Sequence, residues 1–134
     1  MKAYLSRRYR MSASHRLHTE LFSAEKNEAV YGKCNNPYGH GHNYTVEVTL
    51  SGEVDPVTGM VCNLGDLDGF VRREIVDRFH EKNLNMDRSF ETLVPTTENL
   101  CVELYGIIRG GFRGAKLERI RVEETSNNYF EYAG

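Results

Sequence analysis

His40-Gly41-His42-Asn43-Tyr44-Thr45-Val46-Glu47-Val48-Thr49-Leu50-Ser51 alternates along its whole length. One parity carries two imidazoles and then Tyr44, Val46, Val48 and Leu50; the other carries Asn43, Thr45, Glu47, Thr49 and Ser51. Residues two apart in an extended strand face the same way, so the stretch reads as a β-strand with one apolar side. Traced backward, that side contains His40 and His42, whose rings then aim at a common point. Just upstream, Cys34-Asn35-Asn36-Pro37-Tyr38-Gly39 adds a thiol to the same end. Paired imidazoles suit zinc, copper, iron and nickel, and a cysteine supplies a thiolate where its neighbours favour one.

The N-terminal stretch repeats the pattern. Leu5, Tyr9, Met11, Ala13 and His15 share one parity, interrupted only by Arg7, while Ser6, Arg8, Arg10, Ser12 and Ser14 share the other. If the two strands pair antiparallel, the end of the first lies beside the start of the second and His15 joins His40 and His42. Three protein ligands with a fourth position open to water or substrate is the pattern of a catalytic zinc, and no cysteine pairs at zinc-finger spacing suggest a structural one. Three imidazoles also suit copper or iron. His18 sits in polar sequence and reads as a surface residue.

Residues 18–28 are polar, without alternation, and read as a loop with room for a helical turn. Asp55-Pro56-Val57-Thr58-Gly59 suits a hairpin connection, after which Met60-Val61-Cys62 reads as a short returning strand. Asn63 reads as a helix N-cap with Asp66 as its acidic partner. Leu64, Leu67, Val71, Ile75 and Phe79 then fall at helical spacing and carry the helix to about His80. Pro95-Thr96-Thr97-Glu98 opens a second helix with Leu100, Leu104 and Ile108 on its apolar stripe, ended by Gly110 and Gly111. Leu117 to Val122 reads as a strand, followed by a turn at Ser126-Asn127-Asn128 and a short strand from Tyr129 to Tyr132. Strands and helices in separate runs imply an α+β fold with a mostly antiparallel sheet rather than βαβ units.

A chain of 134 residues is one domain of ordinary size. With 17 basic against 19 acidic residues it has no strongly basic stripe, and nucleic acid is a poor candidate partner. Arg7, Arg8 and Arg10 read as a solvated face. Three widely spaced cysteines make no disulfide framework. No apolar run resembles a signal peptide or approaches the roughly 18 residues of a membrane span. The expectation is a reduced, cytoplasmic protein.

Several blocks together resemble the 6-pyruvoyl tetrahydropterin synthase family. They are Met11-Ser12-Ala13-Ser14-His15-Arg16-Leu17, Gly32-Lys33-Cys34-Asn35-Asn36 through Tyr44, Val54 through Val61, Lys82-Asn83-Leu84-Asn85, Thr96-Thr97-Glu98-Asn99, and Glu124-Thr125-Ser126-Asn127-Asn128. They run over nearly the whole chain in one order. The resemblance implies the tunnelling fold: an antiparallel four-stranded sheet with two consecutive helices on one face, assembled by joining subunit sheets into a barrel. It also implies a homohexamer of two stacked trimers with active sites between subunits. The activity implied is a zinc-dependent lyase that eliminates triphosphate from 7,8-dihydroneopterin triphosphate and rearranges the side chain to a diketone.

Residue by residue, the resemblance makes His15, His40 and His42 the zinc ligands, Cys34 the catalytic thiol and Glu124 the anchor of the pterin ring. Thr96, Thr97 and Glu98, which also read as a helix cap, lie near the pterin in the family. Glu124 shares inward parity with Ile120 and Val122, and an inward carboxylate needs a partner; a pterin offers adjacent N–H donors. Cys34 serves as a base only if a cationic or metal neighbour lowers its pKa from about 8.5. Cys62 and Cys101 lie in apolar patterns and read as inert. The family carries an Asp-His pair before Lys-Asn-Leu, whereas this chain has His80-Glu81 there, so these two are the candidates for proton transfer, with their order reversed. A related enzyme, 6-carboxy-tetrahydropterin synthase, is the nearest alternative, but the five residues between Cys34 and His40 resemble the pyruvoyl synthases better. A pterin- or metal-binding module without activity is a third reading.

Overall fold

The computed structural model describes all residues, 1–134. Five strands form one mixed sheet: β1 (Lys2–His15), β2 (His40–Glu53), β3 (Lys82–Asn83), β4 (Lys116–Thr125) and β5 (Asn128–Tyr132), in spatial order β3-β1-β2-β4-β5. Three helices accompany them. These are α1 (Ala24–Tyr31), α2 (residues 64–79) and α3 (Thr97–Gly111). No helix is long and apolar enough to cross a membrane.

The two long strands pair antiparallel without interruption from Lys2 opposite Glu53 to His15 opposite His40. Alternation fixes which side each residue takes, and the apolar parity of both strands faces α2 and α3. Met11, Ala13, Tyr44, Val46, Val48 and Leu50 are buried there with Ile120 and Val122 of β4. From the helices come Leu67, Val71, Ile75 and Phe79, and Leu100, Leu104 and Ile108. The opposite face of the sheet is polar, tied by cross-strand contacts such as Ser6 to Thr49 at 2.8 Å and Arg8 to Glu47 at 2.9 Å.

Helix α2 begins where expected, with the Asn63 side chain accepting from the Asp66 N–H at 3.2 Å. Val71, Ile75 and Phe79 are four residues apart, and such a row drifts about 40° per step around an ideal α-helix. The helix absorbs the drift by widening into π geometry over Arg72–Val76, which keeps all three on the core. Thr96 caps α3 by accepting from the Asn99 N–H at 3.1 Å.

Two expectations need correction. The sheet has five strands, not four, because the two residues of β3 pair parallel with Ala13 and Ser14; two residues are too few to show a period. Met60-Val61-Cys62 forms no strand. The Asp55 carboxylate accepts from the Val57 and Thr58 N–H groups at 2.7 and 3.0 Å, and the Asp55 N–H donates to the Met60 carbonyl at 3.0 Å, so the turn closes on itself. The helical turn allowed for within residues 18–28 is the start of α1, at Ala24 under a Ser23 cap. Its buried anchor is Asn27, which accepts from the Thr19 N–H at 2.9 Å and donates to the Thr19 carbonyl at 2.9 Å. A helix held by one polar side chain shows no apolar stripe. The sheet is mostly antiparallel, as expected, with the two-residue β1–β3 pair the one parallel pairing.

The turn into β2 depends on Gly39. Its φ is +72°, and a Cβ there would lie 2.9 Å from the His15 carbonyl oxygen. Left-handed backbone costs a residue with a side chain about 1–2 kcal/mol, and the clash falls on backbone that cannot swing aside. Gly39→Ala should therefore lower the free energy of urea unfolding by about 2 kcal/mol. A loss below about 0.5 kcal/mol would show that the turn does not constrain this end of the sheet.

Candidate metal centre and ring pocket

Register places the three predicted imidazoles together. His15 and His40 are direct partners across β1 and β2, and His42 follows on the same face. The Nε2 atoms of His15 and His40 lie 3.2 Å apart, those of His40 and His42 2.9 Å apart, and all three ligand nitrogens lie within 4.8 Å of one another. A tetrahedral ion with bonds of about 2.05 Å would separate its ligands by about 3.3 Å, so the donor set fits a divalent metal. The Nδ1 of buried His15 lies 2.7 Å from the Pro95 carbonyl oxygen and donates to it. That bond commits the His15 proton to Nδ1 and leaves the Nε2 lone pair facing the cluster, as a metal ligand requires. Burial pushes His15 below the ordinary histidine range, and the Pro95 carbonyl opposes this. Burial also pushes His42 down, against the opposing charge of Glu124. Neutral imidazole is the ligating form.

Glu124 closes one side of the cluster. Its Oε1 lies 3.4 Å from His42 Nε2, and its Oε2 accepts from the Thr97 hydroxyl. Thr97 is itself buried. Of the Thr96-Thr97-Glu98 segment, only Thr97 reaches this pocket. Thr96 is occupied as the α3 cap, and Glu98 is exposed in the first turn. Tyr44, read from the sequence as a core residue only, is also here. Its ring lies 5.6 Å from that of His42, and its hydroxyl is enclosed without a hydrogen-bond partner. A hydroxyl left so costs about 1–3 kcal/mol. Alternation reveals that Tyr44 points inward, but not that its hydroxyl lacks a partner.

Cys34 sits in the 3₁₀ turn Gly32–Asn35, half-buried, and shares a cavity of about 850 Å³ with His40, Lys33 and Asn36. The Leu17 N–H donates to the Cys34 carbonyl at 2.7 Å, and Asn35 Nδ2 donates to the Leu17 carbonyl at 2.8 Å, fixing the turn against the end of β1. The required lowering of the thiol pKa is not supplied by the protein. Burial pushes it up, and the negative charge of Glu124 adds to that. His18 lies outside the cluster, 3.1 Å from Glu20.

His80 and Glu81 lie elsewhere. They follow α2 along the outer edge of β1, where the Ser12 N–H donates to His80 Nδ1 at 3.0 Å. That leaves His80 Nε2 as the proton-bearing nitrogen, 3.6 Å from Glu81 Oε1. The Glu81 N–H donates to the Ser12 carbonyl at 2.6 Å, and Glu81 adopts φ +59°. A side chain in left-handed backbone is a strained arrangement of the kind that clusters at functional positions. Glu81 lines a groove of about 360 Å³ with Ser12, Ser14 and Asn43, separate from the cavity of Cys34.

Comparison with known proteins gives a consistent result. Residues 4–134 match the sequence profile of the family described as 6-pyruvoyl tetrahydropterin synthase. The chain is 46% identical over 134 residues to 6-pyruvoyl tetrahydrobiopterin synthase of Homo sapiens, covering 99% of this chain and 92% of the relative. It is 47% identical over 132 residues to the protein of that name from Poecilia reticulata, covering 98% and 90%. Among solved structures, Caenorhabditis elegans 6-pyruvoyl tetrahydropterin synthase superposes with a TM-score of 0.95 at 38% identity, covering 100% of this chain and 96% of that one.

If the three imidazoles are a metal site, calorimetric titration of metal-free protein with ZnCl2 should show one ion bound per chain. His40→Ala should weaken that binding at least about 100-fold. Equal affinity in the variant would place the ion elsewhere.

Proposed function

The chain belongs to the 6-pyruvoyl tetrahydropterin synthase family, and on that premise we propose that it is a lyase converting 7,8-dihydroneopterin triphosphate to 6-pyruvoyl tetrahydropterin with elimination of triphosphate. The observation that carries the reading is the convergence of His15, His40 and His42 beside an inward carboxylate, with a thiol in the adjoining cavity. His15, His40 and His42 are the proposed zinc ligands. A divalent cation held there supplies Lewis-acid polarisation of the substrate's side-chain oxygens and a positive charge that favours the thiolate of Cys34.

Glu124 is the proposed ring anchor. Its carboxylate accepts the adjacent N–H donors of the pyrimidine half of the pterin, while the Thr97 hydroxyl holds one of its oxygens. Ring N–H groups paired with Glu124 also offset the negative charge that raises the Cys34 thiol. Cys34 is the proposed base. It takes a proton from a side-chain carbon, and the electron pair released expels triphosphate as the carbon–oxygen bond to it breaks.

His80 and Glu81 are proposed to return the proton. With Nδ1 of His80 held by Ser12, the Nε2 proton and the Glu81 carboxylate form the exchangeable end of the pair. Glu81 lines a groove that it shares with His42 but not with Cys34, which supports active sites completed between subunits. The sheet edges support the same assembly. β1 is paired on its outer side only at Ala13 and Ser14, and β5 ends the sheet on the other side. We therefore propose a homohexamer of two trimers, each trimer closing these edges into a barrel. A single domain and a cytoplasmic location complete the reading, the latter supported by three free cysteines.

Incubation with 7,8-dihydroneopterin triphosphate should release triphosphate and yield a diketone product by liquid chromatography and mass spectrometry. A carboxylated product with acetaldehyde would assign the protein to the carboxy-synthase reaction instead. No turnover with the metal bound would leave a binding module. Cys34→Ala should reduce turnover at least about 100-fold while zinc content and pterin binding persist. Full turnover in that variant would remove Cys34 from the proposed role.

A further inference from the structure

Among the polar side chains packed inside the molecule, the Tyr44 hydroxyl alone lacks a partner. Its residue is 1% exposed, so water does not reach it from outside, and native proteins rarely leave such a group unpaired without a reason. The polar groups it faces are informative. The Thr97 hydroxyl is near enough to act on it, as is the charge of Glu124, yet no hydrogen bond to Tyr44 is formed. Thr97 already donates to Glu124, so its oxygen has a lone pair free to accept. A small shift of Thr97 would close a chain from the Tyr44 hydroxyl through Thr97 to Glu124.

The position of Glu124 suggests when that shift occurs. In this structure its other oxygen leans on the imidazole cluster, 3.4 Å from His42 Nε2. A ring presenting two N–H donors to the carboxylate would draw it away from the histidine, and Thr97, bonded to it, would follow.

We propose that Tyr44 is a positioning residue whose hydroxyl is held unpaired in the ligand-free protein and, through Thr97, locks Glu124 onto the N–H pair of a bound pterin. This rests on the reading of Glu124 as the ring anchor. An interaction made only in the bound state adds to affinity and nothing to the stability of the free protein. Removing the hydroxyl then has opposite effects on the two quantities. The free protein loses an unsatisfied group and gains or keeps stability, whereas the complex loses a hydrogen bond.

The test uses zinc-loaded wild type, Tyr44→Phe and Glu124→Gln, with 7,8-dihydroneopterin as a ligand that has no triphosphate to eliminate. Tyr44→Phe should melt at or above the wild-type temperature and bind the pterin about five-fold more weakly, equivalent to about 1 kcal/mol. Glu124→Gln should weaken binding further. A lower melting temperature in Tyr44→Phe with unchanged affinity would show that the hydroxyl serves the free fold, for example through a trapped water, and overturns the inference. Unchanged affinity in Tyr44→Phe with weakened binding in Glu124→Gln also overturns it and leaves the anchor standing. Unchanged affinity in both variants removes the anchor, and the inference with it.

Discussion

The uninterrupted antiparallel pairing of β1 with β2 is the constraint on which the rest of the molecule depends. It fixes His15 opposite His40 and, by alternation, puts His42 on the same face. A slip of one residue would turn every side chain of one strand to the other face, separating the imidazoles and moving Tyr44, Val46, Val48 and Leu50 out of the core. Core and imidazole cluster are therefore specified by the same register. The burial that stabilises the sheet is also the burial that keeps His15 and His42 in the neutral form a metal needs.

Burial and a single inward carboxylate set the electrostatics of the pocket. Glu124 lies close enough to His42 to oppose the effect of burial on the imidazole, and close enough to Cys34 to push the thiol the wrong way for a base. Burial and Glu124 both raise the Cys34 thiol, the direction opposite to the one a base needs. In the proposed reaction, a cation at the imidazole cluster and a ring whose N–H groups pair with Glu124 would both act in the opposite direction.

The distribution of the site explains the form of the sheet. The helices cover one face, the other is tied by polar cross-strand contacts, and both lateral edges are open over most of their length. Open edges of long strands invite pairing with another chain, and the strained Glu81 stands at one of them. The groups proposed for proton transfer thus occur where a neighbouring subunit would meet them.

Much of this was legible in the amino-acid order because the relevant signals are local. A period of two identified β1 and β2 and the inward parity of His15, His40, His42 and Glu124. A period near 3.6 identified α2 and α3, and cap chemistry placed their starts at Asn63 and Thr96. Where the determining contact is a single polar side chain or a pair of backbone bonds, no period exists to be read. That is why β3, two residues long, leaves no signal, why α1, anchored by Asn27, is legible only as a helical turn, and why Met60-Val61-Cys62 reads as a strand. The same limit applies within the pocket. Sequence by itself determined which residue types face inward and in what order. Tertiary structure alone decided that the Pro95 carbonyl sets the tautomer of His15, that Thr97 and not Thr96 or Glu98 reaches Glu124, and that Tyr44 ends in an unpaired hydroxyl. Those outcomes depend on distances between segments far apart in the chain, which side-chain periodicity does not encode.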